Sequence, residues 1–143
     1  MPRFELVPYA ALNDRQKENH NYQKVSGVLA DYGFSTVRLT DDWNGADFIA
    51  QHHAGRIVLR VQLKPRLFFS KKYEGKELWM CFPNTSGAYL FPHDEVLSVF
   101  LNSGRIMRGT SSWDEEGSYS IGKIAKWMVP VLQPYHYPAT ERR

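Results

Sequence analysis

The first clear periodicity along the chain is helical. From about Asn13 to Tyr32, the positions Tyr22, Val25, Val28, Leu29 and Tyr32 recur at helical spacing, which places them on one side of an amphipathic helix. Asn13 or Asp14 supplies a side-chain oxygen for the N-cap, and Gly33 can end the helix in a left-handed conformation. Glu18 stands four positions before Tyr22 and seven before Val25. It is therefore on or beside the apolar stripe, where a charged side chain needs a partner or a role.

Strand-like segments follow. Phe34 to Leu39 predicts one strand. After the turn-like Asp41-Asp42-Trp43-Asn44-Gly45, Ala46 to His53 predicts a second, and Arg56 to Lys64 a third, joined to the second as a hairpin across Ala54-Gly55. In the third strand, Ile57, Leu59, Val61 and Leu63 face one way, and Val58, Arg60, Gln62 and Lys64 the other. Pro65 to Glu77 reads as a basic, aromatic loop, carrying Arg66, Phe68, Phe69, Lys71, Lys72, Tyr73 and Lys76. Strands over Leu78–Phe82 and Ala88–Phe91 flank the turn Pro83-Asn84-Thr85-Ser86-Gly87. A helix is expected over Asp94–Leu101, with Val96, Leu97, Phe100 and Leu101 as its apolar face. A polar loop around Trp113 precedes a last helix over about Ser120–Val129, stopped or kinked by Pro130. Residues 133–143, with Pro-Tyr-His-Tyr-Pro and Arg142-Arg143, read as an irregular tail. The order of elements predicts one α/β domain over residues 1–143, an N-terminal helix followed by a mixed central sheet flanked by helices.

Composition narrows the picture. Apolar residues make up 43% of the 143, enough for a real core. The net charge of +3 permits a nucleic-acid partner without requiring one. Cys81 is the only cysteine, so no internal disulfide and no cysteine zinc site can form. It lies in the apolar run Leu78-Trp79-Met80-Cys81-Phe82, which reads as a buried thiol. His52 and His53 are adjacent in a strand and are expected on opposite faces. His93 reads as a cap-region residue and His136 as part of the tail, and no His-x₃-His spacing supports zinc. No stretch has signal-peptide character or the length to span a bilayer, so the expected location is cytoplasmic.

The chemistry converges on four residues. Asp47 opens the second strand; Gln62-Leu63-Lys64 follows fifteen residues later in the adjacent one; Glu18 projects from the preceding helix. Two carboxylates, an amide oxygen and an ammonium can thus meet beside one sheet.

This arrangement resembles the PD-(D/E)xK nuclease superfamily of restriction endonucleases and DNA-repair nucleases. The resemblance covers about Asn13 to Leu101. Gly45-Ala46-Asp47 looks like the strand bearing the family's metal-binding Asp, Gln62-Leu63-Lys64 like its (D/E)xK element, and Glu18 like its first-helix acid. Tyr89-Leu90-Phe91-Pro92 followed by Asp94-Glu95 looks like the late strand-to-helix step of some members. Gln62 departs from the commonest motif and is similar to the QxK variant of Mrr-type restriction enzymes.

The resemblance implies a restriction-endonuclease-like fold and an Mg²⁺-dependent (or Mn²⁺-dependent) endonuclease that hydrolyses DNA. Asp47 would be the main ligand, joined by the Gln62 side-chain oxygen and the Leu63 carbonyl. Glu18 would hold a water of the ion's shell or a second ion, and Lys64 would orient the attacking water and offset phosphate charge. Gln62 carries no charge, so metal should bind more weakly than with Glu there. Arg66, Lys71, Lys72 and Lys76 are the expected DNA contacts, with the loop aromatics available for base stacking or wedging. Cutting both strands of a duplex at this size implies a homodimer.

Other readings stand beside this one. Glu18 can make helix-surface contacts with Arg15 or Tyr22, Asp47 can serve the Asn44-Gly45 turn, and Gln62 and Lys64 can be the solvated face of an edge strand. The loop from Arg66 to Lys76 can be a solvated charge run anchored by core aromatics. The whole can be an inactive nuclease-fold module that binds nucleic acid or protein.

Overall fold

The computed structural model describes residues 2–141. Arg142 and Arg143, the end of the expected tail, lie outside the described residues. Helix α1 spans Asp14–Asp31. Asn13 accepts the Gln16 backbone N–H at 2.8 Å, and the Gln16 side chain accepts that of Asn13 at 2.9 Å. Two otherwise orphaned N–H groups are thereby satisfied, which fixes where the helix starts. Its buried stripe is Asn21, Val25 and Leu29.

A six-stranded sheet follows, built from β1 (Phe34–Trp43), β2 (Ala46–His52), β3 (Val58–Leu63), β5 (Trp79–Asn84), β6 (Gly87–Pro92) and β8 (His136–Pro138), in the order β1-β2-β3-β5-β6-β8. All neighbours run antiparallel except β3 and β5, which are parallel. The predicted β2–β3 hairpin is present. The first strand is longer than the sequence suggests: it runs to Trp43, and the turn shrinks to Asn44-Gly45, both at positive φ (52° and 88°). That pair suits the tight hairpin turn whose twist matches the strands. The sheet is mixed and carries helices on its faces, the α/β architecture expected from the element order.

A parallel pair needs a crossover, and here the crossover is the basic loop. It is more ordered than expected. It contains β4 (Leu67–Ser70), which pairs with β7 (Ser118–Ile121), and a 3₁₀ turn at Lys71–Tyr73. Leu67, Phe69 and Tyr73 are buried in the core on the face away from α1, with residues of α2 (His93–Asn102) and of the C-terminal segment. The loop aromatics therefore serve packing, because a crossover must bury one side against the sheet. The second core, between α1 and the sheet, is built from Val25, Leu29, Phe48, Val61, Cys81 and Leu90 among others. Cys81 is buried, and burial pushes its thiol well up.

His93 stands in the cap region as expected, as the first residue of α2, and it is also a structural pin. It is wholly buried at the start of α2. Its Nε2 accepts the Ser70 N–H at 3.1 Å, so Nδ1 carries the proton and donates to Asp94 at 2.8 Å. Burial holds His93 below its ordinary range against the pull of Asp94 and Glu74. Asp94 in turn accepts the Gly75 N–H at 2.9 Å. The crossover is thus clamped on both sides of Lys71–Tyr73.

Two C-terminal expectations are corrected. The helix expected over Ser120–Val129 is strand β7, then a 3₁₀ turn at Lys126–Met128 and the one-turn α3 (Val129–Leu132). Pro130 lies in the first turn of α3, where its missing N–H is no loss. The tail is not irregular throughout: β8 closes the sheet edge against β6, and the Ala139 N–H donates to Ser86 at 2.7 Å.

Glycine at position 87 makes the β8 contact possible. A Cβ there would sit 2.1 Å from the Tyr137 carbonyl oxygen and 2.8 Å from the Ala139 nitrogen. Gly87→Ala should expel β8 and destabilise the protein by about 1–3 kcal/mol. Hydrogen exchange at Ala139 reads the first effect and urea unfolding the second; unchanged protection at Ala139 would rule out the docked strand.

Candidate active site

The site forms where β2 and β3 part. Their register ends at Phe48 opposite Val61, and beyond it β3 pairs with β5 through Leu63 opposite Cys81. The Leu63 N–H, left without a strand partner on the β2 side, donates to Asp47 Oδ2 at 2.9 Å, while the Lys64 N–H donates to the Cys81 carbonyl at 3.0 Å. Asp47 is therefore a fixed, half-buried carboxylate with one oxygen committed. The first two turns of α1 overhang the gap. A cleft of about 360 Å³ is lined by Tyr9, Asp14, Lys17, Glu18, Asn21, Asp47, Gln62, Leu63, Lys64 and Pro65. Glu18, Asp47, Gln62 and Lys64, and the Leu63 backbone, are thus in one solvent-accessible depression.

Two further clefts meet it at Asp47. One, of about 550 Å³, runs between Arg15, Glu18, Asn19, Arg38 and Asp41. The other, of about 230 Å³, is lined by Gly45, Gln62, Lys64, Lys72, Tyr73 and Lys76 as well as Asp47. The concave surface is acidic and arginine-bearing on one side of Asp47 and rich in lysine on the other.

The charges interact. Burial lifts the Asp47 carboxyl above its ordinary range; the Leu63 N–H pulls it back, Glu18 raises it further, and Lys64 and Arg38 oppose that rise. Burial lowers the Lys64 ammonium, as does Lys72, against Asp47 and Glu18. Lys64 Nζ lies 4.6 Å from the Phe68 ring centroid, a contact that retains part of its positive charge's stabilisation out of water.

Glu18 does not pair with Arg15 or Tyr22. It takes Arg38 of β1 at 3.2 Å. Arg38 also donates to Asn19 and lies over Tyr22 at 5.2 Å. Arg38 is the main site residue that the sequence reading overlooks. Its signal is faint: Thr36 and Arg38 alternate on the strand face that meets Glu18, Tyr22 and Ser26, four residues apart on α1. Thr36 Oγ1 bonds both Tyr22 (2.9 Å) and Ser26 (2.6 Å). Tyr9, also overlooked, is held at the cleft by Asn21 at 3.0 Å.

The basic residues divide. Lys72 and Lys76 line the cleft with Lys64. Lys71 turns to Trp113, 5.2 Å from its ring, and Arg66 packs against Gly122. His52 and His53 are not on opposite faces. The strand ends at His52, and the two rings lie 4.5 Å apart against Gly33. His136, in β8, lies against Tyr89.

The donor types suit a hard divalent cation: carboxylate, amide and carbonyl oxygens among the residues lining one cleft. Among the described residues, no three His, Cys, Asp or Glu side chains cluster to hold a metal. A cation here would rest on two carboxylates and neutral oxygens, a weakly charged site.

No family model matches the chain, and no curated protein matches it significantly in sequence. Among solved structures, it is similar in part to Hjc, a Holliday junction resolvase from Archaeoglobus fulgidus, at 16% identity and a TM-score of 0.42, over 53% of this chain and 72% of that one. No helix among the described residues is long and apolar enough to cross a membrane.

Because the Asp47 carboxyl is raised in the fold, its ionisation destabilises the native state. Stability is lost as pH rises from its ordinary 3.8 through the folded value, and the loss persists at neutral pH. Asp47→Asn keeps an acceptor for Leu63 and removes the charge. In metal-free buffer at pH 7 its Tm should exceed that of the native protein, and the gap should close as pH falls below the folded value. A Tm difference that does not change with pH would refute the raised carboxyl.

Proposed function

We propose that the chain is a divalent-metal-dependent endonuclease acting on DNA, of the PD-(D/E)xK kind in its QxK form. The observation that carries this reading is the convergence of Asp47, Gln62, Lys64 and Glu18 at the parting of β2 and β3, beside the cleft of Lys72 and Lys76. Asp47, the Gln62 side-chain oxygen, the Leu63 carbonyl and Glu18 are the groups that would hold Mg²⁺ or Mn²⁺. When bound, the ion supplies Lewis-acid stabilisation of charge on the phosphate oxygens and favours ionisation of water.

The protein's own groups do the rest. Asp47 lines the cleft with its Oδ2 held by the Leu63 N–H. Lys64, with its proton held less tightly than usual, offers Nζ–H to an attacking water or a phosphate oxygen. Lys72 and Lys76 draw the phosphate backbone toward Asp47. Arg38 fixes Glu18 at the rim. Cutting both strands of a duplex would take two such sites, hence a homodimer, and a DNA substrate agrees with a cytoplasmic location.

One observation favours a second reading, a nucleic-acid-binding module without cleavage: Glu18 is already neutralised by Arg38, and Gln62 adds no charge. Supercoiled-plasmid nicking in Mg²⁺ or Mn²⁺ separates the two. The native protein should nick, and Asp47→Ala and Lys64→Ala should each lower the rate roughly 100-fold or more while circular dichroism is unchanged. Absence of nicking with intact DNA binding would select the second reading.

The division of the basic residues gives a separate expectation. Lys72→Ala with Lys76→Ala should weaken DNA binding and flatten its dependence on log salt by about one unit per lost contact. Lys71→Ala and Arg66→Ala should leave the slope in place. Binding titrations across salt measure both; a slope for the Lys72/Lys76 double variant equal to that of the native protein would remove the lysine cleft from the interface.

A further inference from the structure

We propose that Trp43 is a stacking platform for an unpaired nucleobase beside the cleft, which makes single-stranded segments of DNA the preferred ligand. The inference rests on the nucleic-acid reading above and deepens it. Phe69 and Tyr73 of the basic loop are buried and Phe68 is half-buried under Lys64, so the loop does not offer the aromatics that base stacking requires. Trp43 does. Its side chain is 53% exposed, whereas Trp113 is buried and Trp79 and Trp127 are half-buried.

The indole is held in place. The Arg60 guanidinium lies 5.5 Å from its ring centroid, and Arg60 is fixed by donating to the Lys76 carbonyl and by Glu77 at 3.8 Å. Lys76 is a wall of the lysine cleft, so the chain of contacts Trp43–Arg60–Lys76 joins the platform to the site. From the other direction, Trp43 precedes the Asn44-Gly45 turn. Gly45 is seated against Leu78 and Tyr73, where a Cβ would fall 2.8 Å from Leu78. The same turn leads into Asp47. The two-residue turn, seated at Gly45, therefore places an exposed ring four residues before the central carboxylate.

An indole with a cation on it is an amphipathic surface suited to the π-face of any base, without regard to sequence. Bases inside a duplex are already stacked and paired, so this surface can be used only by a base that is splayed out or single-stranded. Lys64, Lys72 and Lys76 serve phosphates of either form. The platform thus adds affinity for one form alone.

The test uses the full chain in EDTA, so that binding is read without cleavage, with a dT oligonucleotide and a blunt duplex of equal length as probes. Trp43→Leu keeps apolar volume without a ring, and Trp43→Phe keeps a ring; circular dichroism checks that both fold. Trp43→Leu should weaken dT binding roughly tenfold and leave duplex binding and the salt dependence of both probes unchanged. Trp43→Phe should recover most of the dT affinity. Equal dT affinity for the Leu variant and the native protein, or an equal loss for both probes, would overturn the platform while leaving DNA binding and the lysine cleft standing. Failure of the native protein to bind either probe would instead overturn the nucleic-acid reading, and the platform with it.

Discussion

The hydrogen bond from the Leu63 N–H to Asp47 marks the point on which the structure turns. β3 pairs with β2 over Val58–Val61 and with β5 over Val61–Leu63, so the two pairings overlap only at Val61. Where it leaves β2, a backbone donor needs an acceptor, and an unpaired buried N–H costs about 1–3 kcal/mol. A side-chain carboxylate at the start of β2 meets that need without closing the gap. The opening between the strands is the cleft. The parallel pairing also requires the crossover that carries Lys72 and Lys76 past the opening. One change of strand partner therefore supplies the acid, the depression and the basic wall.

The second constraint is how firmly each charged group is held. Arg38 joins Glu18, Asn19 and Tyr22, so the N-terminal half of α1 is tied to β1 at the cleft. The His93–Asp94 pair ties the crossover at Ser70 and Gly75. These attachments lie on opposite sides of Asp47 and come from elements far apart in sequence. The charged groups are placed on clamped elements, so their positions around Asp47 are held by the fold itself.

Much of this was legible in sequence. The α1 limits follow from Asn13 and Gly33, and the strand alternation places Gln62 and Lys64 together because the period of a strand leaves no other choice. The face of the sheet and the upstream glutamate were enough to gather four residues. What was not legible depends on tertiary pairing. Phe69 and Tyr73 look like exposed loop aromatics until the crossover is seen to need a buried side. Ser118–Ile121 becomes a strand only because β4 is there to pair with it, and the isolated segment shows no period. His136–Pro138 is three residues long and gains strand form from β6. Arg38 reads as the polar member of an ordinary strand, since its partners come from a helix twenty positions earlier.

The charge count at the site explains why an amide can stand at position 62. Glu18 and Asp47 bring two negative charges and Arg38 and Lys64 two positive ones, so the cluster is close to neutral as it stands. A carboxylate at position 62 would sit against the already raised Asp47 and add to the repulsion that Glu18 imposes on it. Gln62 avoids that and still presents an oxygen. Under the proposed reading, a divalent ion would bring positive charge beside Asp47 and a phosphate would bring negative charge beside Lys64. Arriving together they offset one another. The neutral amide would keep that balance, and the lysine cleft supplies the further positive charge that draws phosphate toward Asp47.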